Sequence, residues 1–255
     1  MISGCNGFGR EEPVHEAFTL TRSELSALVE SLPAATREKV DANPWYFLEL
    51  LRQVLEMPPE YCVLVDKSHA LPPDSEPDDL VSLNEYDISV NRNDLSLSRR
   101  IMPDLLAMVE AARIDGNELV VSSAYRSFEY QATVYERNVN QYGQEQADRE
   151  SAQPGKSQHQ LGTTIDFGSI TDAFGDTPPG RWLLANAWQF GFSLSYPEGY
   201  EELTGYRPEV WHYRYVSRPA ALLEREYFQS VQQYMLAFLD EHRSDLEASK
   251  LVTSP

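Results

Sequence analysis

The chain has 255 residues, enough for one good-sized core with a small appended module. Its 42% hydrophobic and 11% aromatic content describes a folded protein, and 40 acidic against 21 basic residues give a net charge of −19. That excess repels a phosphate backbone and argues against nucleic acid as a partner, and no run approaches the roughly 18 apolar residues that span a bilayer.

At the N-terminus, ISGC places Cys5 after a small residue, as at the end of a bacterial lipoprotein signal; the basic and apolar parts of such a signal are absent from the sequence. Two expectations stand for Cys5: attachment to a membrane through a lipid, or a free thiol in a loose terminus. From about Phe18 to Met57 the apolar residues recur with helical spacing, first Leu25, Leu28, Val29 and Leu32, then Phe47, Leu48, Leu51 and Leu55. Ser23 and Asn43 are the expected N-caps, the latter followed by Pro44 at the first helical position. YCVLVDK reads as a buried strand, and HALPPDSEPDDL, rich in proline and acids, as a surface loop.

Helix and strand signals then follow one another. Ser98 is expected to cap a helix through Ile101, Leu105, Met108 and Val109 that ends at Gly116; ELVVSS is a short strand; Ser127 caps a helix to about Tyr142. A strand at TTIDFG, a helix at RWLLANAWQF stopped by Gly191, strands at FSLSY and VWHYRYV, and one long helix from about Arg218 to Arg243 complete the chain. Helices cluster before and after closely spaced strands, which predicts an α+β fold with a mainly antiparallel sheet flanked by helices. The expected division is an N-terminal segment and helical module over 1–60, then a catalytic domain over 61–255.

The chemistry concentrates in two stretches, SQHQLGTTIDFG and EVWHYRY. In the first, Gly162 permits a sharp turn after His159, and Thr163, Thr164 and Ile165 favour an extended strand leading to Asp166. A loop histidine and a strand aspartate can so reach one point, and His212 supplies a second imidazole from a neighbouring strand. Two histidines and one carboxylate leave the fourth position of tetrahedral Zn2+ open, the catalytic arrangement. Glu209 can then serve as general base. Residues three apart face opposite sides of a regular strand, so the proposal requires Pro208 to break regularity and let Glu209 reach round. His15, His69 and His242 share no such pattern. Arg126, just after ELVVSS, can clamp a substrate carboxylate or steady an oxyanion, although in isolation it reads rather as a structural ion-pair partner in an acid-rich chain.

These stretches resemble a known family. SQHQLGTTIDFG is similar to the S-x-H-x-x-G-x-x-x-D signature of VanY-like zinc D,D- and L,D-carboxypeptidases, EVWHYRY to their E-x-W-H-x-R-Y stretch, and SSAYRSFEYQ to their S-G-Y-R-S-x-x-x-Q segment. The resemblance runs from about Leu64 to Val216, with Ala124 in place of a glycine and Val210 in place of a proline. It implies His159, Asp166 and His212 as zinc ligands, Glu209 as general base, Arg126 at the substrate, and Ser157 and Gln131 helping to orient it. It further implies a D,D-carboxypeptidase that trims D-alanine from peptidoglycan stem peptides in the bacterial cell envelope. An L,D-carboxypeptidase acting on tetrapeptide stems and a zinc-stabilised wall-binding module without activity are the alternatives.

Overall fold

The structure, a computed structural model, describes residues 11–251, so Cys5 and the lipid expected on it lie outside the described residues. In chain order, the helices α1 (Arg22–Leu28), α2 (Ala34–Ala42) and α3 (Pro44–Leu55) precede a 3-10 turn at Pro59–Cys62. Strands β1 (Leu80–Ser82), β2 (Ser89–Val90) and β3 (Ser96–Ser98) lead to α4 (Met102–Ile114), β4 (Val120–Ser123), α5 (Phe128–Tyr142) and α6 (Gln144–Glu150). Then come β5 (Thr164–Phe167), α7 (Pro178–Asn186), β6 (Phe192–Leu194), α8 (Glu201–Thr204), β7 (His212–Tyr215), α9 (Arg218–Tyr227) and α10 (Gln232–Ser249).

Five strands form the main sheet in the order β2-β4-β5-β7-β6; β2 runs parallel to β4 and the other neighbours are antiparallel. The α+β class and the mainly antiparallel sheet are as the sequence predicts. Side chains alternate across it. Val121, Ile165, Phe167, Phe192, Tyr213 and Tyr215 enter the hydrophobic core, whereas Ser123, Thr164, Asp166, His212 and Arg214 share the opposite, polar face through the pairs Ser123↔Asp166, Asp166↔His212 and Thr164↔Arg214. The apolar face is anchored by the same core that holds the N-terminal helices: Phe47 of α3 meets Tyr227 edge-on at 4.9 Å and Phe238 of α10 at 6.0 Å.

Three local expectations are corrected. α1 is capped by Thr21, not Ser23, because Thr21 and Glu24 form a reciprocal capping box that Ser23 cannot make. YCVLVDK is not a strand: Pro58 and Pro59 lead into the 3-10 turn, and the carbonyls of Tyr61 and Val63 accept from Arg214 Nη2 at 3.1 and 2.8 Å, so a buried guanidinium takes the place of a strand partner. The closing helix is two helices. Between them Gln229 and Ser230 take φ of 58° and 57°, the amides of Phe228 and Ser230 both return to the Glu224 carbonyl, and Phe228 and Val231 are buried. Burial of those two side chains favours the break over a straight continuation.

Candidate metal centre

His159 lies in a 3-10 turn over Gln158–Leu161 that Ser157 caps, its Oγ accepting from the His159 amide at 3.3 Å. Gly162 ends the turn at φ 67°, and a Cβ there would come within 2.9 Å of Pro77, so conformation and space both require glycine. The chain then enters β5, where Asp166 is the direct cross-strand partner of His212, the first residue of β7. His159 Nε2 stands 3.2 Å from Asp166 Oδ2, and His212 Nδ1 stands 3.0 Å from Asp166 Oδ1. All three residues are buried, and one ligand atom from each lies within 4.8 Å of the others.

The surroundings orient both rings. His159 Nδ1 is 2.6 Å from the Ala124 carbonyl, which can only accept, so this nitrogen carries the proton and Nε2 faces Asp166 with its lone pair. Burial, assisted by the Arg126 charge, pushes His159 down to about 4, so the ring is neutral. At His212 burial also opposes the charged form, but the Asp166 and Glu209 carboxylates outweigh it and push this group up to about 9. Burial works to raise Asp166 as well, yet the flanking imidazoles hold it well below the usual carboxylate range. The cluster therefore draws positive charge to Nδ1 of His212. Asp166 Oδ1 is buried 3.0 Å from His212 Nδ1 and Oδ2 lies 3.2 Å from His159 Nε2, and this carboxylate between two imidazole nitrogens fits a divalent cation.

Glu209 stands beside the cluster, its Oε2 3.3 Å from His212 Nδ1. The chain is irregular from 207 to 211 and becomes regular at His212, while the Glu209 amide is held by the Tyr196 carbonyl at 3.0 Å. The break expected at Pro208 is present, and it lets both side chains face one point. Arg126 Nη2 donates to Asp166 Oδ2 at 3.0 Å and lies 3.0 Å from His159 Nε2, Nη1 reaches Gln131 Oε1 at 3.2 Å, and Nε reaches Ser123 Oγ at 3.1 Å. Gln131 is buried behind this guanidinium and donates to the Ala152 carbonyl at 2.7 Å. Ser157 lines the cleft and also supports the His159 turn. The other imidazoles lie elsewhere: His15 packs on Trp45, His69 binds Asp66, and His242 packs on Phe238.

The site opens into a cleft of about 280 Å³ whose lining includes Arg92, Tyr130, Arg137, Tyr196, Tyr206 and Trp211. Sequence reasoning missed Gln158, whose Oε1 lies 3.3 Å from His212 Nε2, and Tyr196, whose ring is 4.8 Å from that of His212. Gln158 adjoins a predicted ligand, which was a usable signal; Tyr196 carried none.

A family model described as VanY, D-alanyl-D-alanine carboxypeptidase, matches residues 94–218. YodJ of Bacillus subtilis (strain 168) is 33% identical over 195 residues, covering 71% of this chain and 71% of that protein. The chain belongs to the VanY family of D-alanyl-D-alanine carboxypeptidases. Solved VanY-like structures agree. The LdcB LD-carboxypeptidase is 34% identical with a TM-score of 0.61, over 68% of this chain and 88% of that one. The vancomycin-resistance D,D-pentapeptidase VanY of a VanB-type cassette, solved in complex with Zn(II), is 31% identical with a TM-score of 0.59, over 70% of this chain and 99% of that one. The resemblance carried by the three sequence motifs is thus borne out, and the protein is a metallopeptidase of the VanY carboxypeptidase class.

Proposed function

We propose that this VanY-family enzyme is a zinc-dependent D,D-carboxypeptidase that removes the C-terminal D-alanine from peptidoglycan stem peptides outside the cytoplasm. One observation carries the reading: His159, Asp166 and His212 each bring a ligand atom within 4.8 Å of the others in a buried cluster, with Glu209 Oε2 3.3 Å from His212 Nδ1. His159 through Nε2, Asp166, and His212 through Nδ1 would hold the ion. Bound zinc supplies Lewis acidity to a carbonyl and to water.

The chain's own groups do the rest. Glu209 takes the proton of the attacking water and returns it to the leaving D-alanine amine as the tetrahedral intermediate collapses. Arg126 pairs with the terminal carboxylate of the peptide; repulsion between its guanidinium and a cation disfavours its bond to His159 Nε2 and turns it toward an anion in the cleft. Gln131 aims that guanidinium and Ser157 orients the substrate at the cleft floor.

The similarity to the LdcB LD-carboxypeptidase supports a second reading, removal of D-alanine from tetrapeptide stems. Incubation of the zinc-loaded protein with pentapeptide and tetrapeptide stem fragments, followed by mass analysis, separates them. Loss of one D-alanine from the pentapeptide supports the D,D assignment; cleavage of the tetrapeptide alone overturns it in favour of L,D. Binding of either peptide without cleavage identifies a wall-binding module. We place the protein in the cell envelope, held there by a lipid on Cys5. No helix among the described residues is long and apolar enough to cross a membrane, and an unmodified Cys5 in the mass of the product from the native host would refute the anchor.

A further inference from the structure

Behind His212 a buried polar chain, which the proposed chemistry does not use, runs from Gln158 at the cleft wall into the interior. Gln158 Oε1 is 3.3 Å from His212 Nε2 and accepts from Ser195 Oγ at 2.7 Å. Gln158 Nε2 donates to Gln232 Oε1 at 3.2 Å, across 74 residues of sequence. Gln232 Nε2 in turn donates to the Ser193 carbonyl at 3.4 Å. Gln158, Ser195 and Gln232 are each no more than 2% exposed.

The order of donors and acceptors along this chain has only one solution. The Ser193 carbonyl can only accept, so the Gln232 amide must turn its NH2 to it and its oxygen to Gln158. Gln158 must then give its NH2 to Gln232, which leaves Oε1 facing His212 as an acceptor. An acceptor at that position holds a proton of His212 on Nε2, so the proton that a bound cation displaces is the one on Nδ1, beside Asp166 and Glu209. Reversing either amide would put an NH2 against Nε2, place the ring proton on Nδ1, and remove one ligand from the cluster. The break before α10 serves the same end. Left-handed Gln229 and Ser230 end α9 and make Gln232 the first residue of α10, directed at Ser195 rather than at solvent.

We propose that Gln158 and Gln232 are positioning residues that lock His212 into its metal-binding tautomer, with the Ser193 carbonyl as the fixed end of the relay. The proposal rests on the reading of His212 as a zinc ligand, and its test separates the two.

Zinc affinity is measured by chelator competition at one pH for the wild type, Gln158→Leu, Gln232→Met and Gln158→Glu, with far-UV circular dichroism reporting the fold. Loss of a hydrogen-bond partner behind a metal ligand lowers affinity by about 10–100-fold. Gln158→Leu and Gln232→Met should show that loss while folded. Gln158→Glu, which restores an acceptor to Nε2, should return affinity to within about threefold of the wild type, given that a ligating imidazole needs only an acceptor behind it. A merely structural role predicts lower stability with zinc affinity unchanged in the folded variants. In the zinc-loaded wild type, which needs no variant to fold, imidazole NMR should find a slowly exchanging His212 proton on Nε2. Equal zinc affinity in folded Gln158→Leu and wild type, or a His212 proton on Nδ1, overturns the relay and leaves the metal site standing. A wild type that takes up no zinc overturns both.

Discussion

Glu209 and His159 stand within one cluster, yet their removal has different consequences. Glu209 is assigned a proton and no place in the cation's shell, so Glu209→Gln should lower kcat on a stem pentapeptide by about 10²–10⁴-fold, the usual weight of a positioned acid-base group. Zinc content should stay near that of the wild type; activity within a few-fold of wild type would remove the residue from the mechanism. His159→Ala deletes one of three donors and leaves Asp166 facing a single imidazole. That variant should lose metal and turnover together, read by elemental analysis beside the same peptide assay. The residues behind these predictions were legible because each sits in a short stretch whose spacing carries a mechanism: a turn glycine between His159 and Asp166, a proline beside Glu209. What was not legible has equally definite causes. Ala124 acts through a backbone carbonyl, which no side-chain pattern announces. Gln158 and Gln232 are 74 residues apart, and only the fold makes them neighbours.

At the scale of elements, alternation was the reliable signal. T-I-D-F in β5 and H-Y-R-Y in β7 each place two polar and two large apolar side chains on opposite faces, so the sheet's chemical face follows from the two-residue period. Breaks were less legible. YCVLVDK has strand composition, but two prolines and the demand of buried Arg214 for carbonyl partners override it. The α9–α10 break has no glycine or proline to announce it, and depends on burying Phe228 and Val231. Its cost can be tested. Ser230 is exposed and left-handed at φ 57°, a conformation that disfavours an L side chain by about 1–2 kcal/mol. Ser230→Gly relieves this but gives up conformational restriction of the unfolded chain, so the expected net gain is about 0.5–1 kcal/mol. Urea unfolding should show the higher midpoint for Ser230→Gly and none for Ser230→Ala; an equal gain from alanine would mean that the backbone there is not strained.

Across the whole molecule, the N-terminal helices and the sheet close on one hydrophobic core, and α9 stands between them, with Tyr227 against Phe47 and Leu223 deep in that core. Glu224 projects from the same helix into this interior, buried, with Oε2 unpartnered. Burial pushes its carboxyl up from an ordinary 4.5 to about 8. The folded state thus holds a proton that the unfolded state releases near pH 4.5. The stabilisation from the neutral carboxyl is fully present below about pH 4.5 and is lost as pH climbs through about 8. Glu224→Gln keeps shape and neutrality at every pH, so the difference in stability between variant and wild type should be small at pH 5, widen in favour of glutamine toward pH 8, and level off above it. At its plateau the difference is on the order of 3–5 kcal/mol. Thermal unfolding of both proteins from pH 5 to 9 measures it, and taking the difference cancels ionisations common to the two, those of the metal cluster included. A difference that stays constant across this range would show that Glu224 is ionised in the fold, with a partner for its charge inside the core.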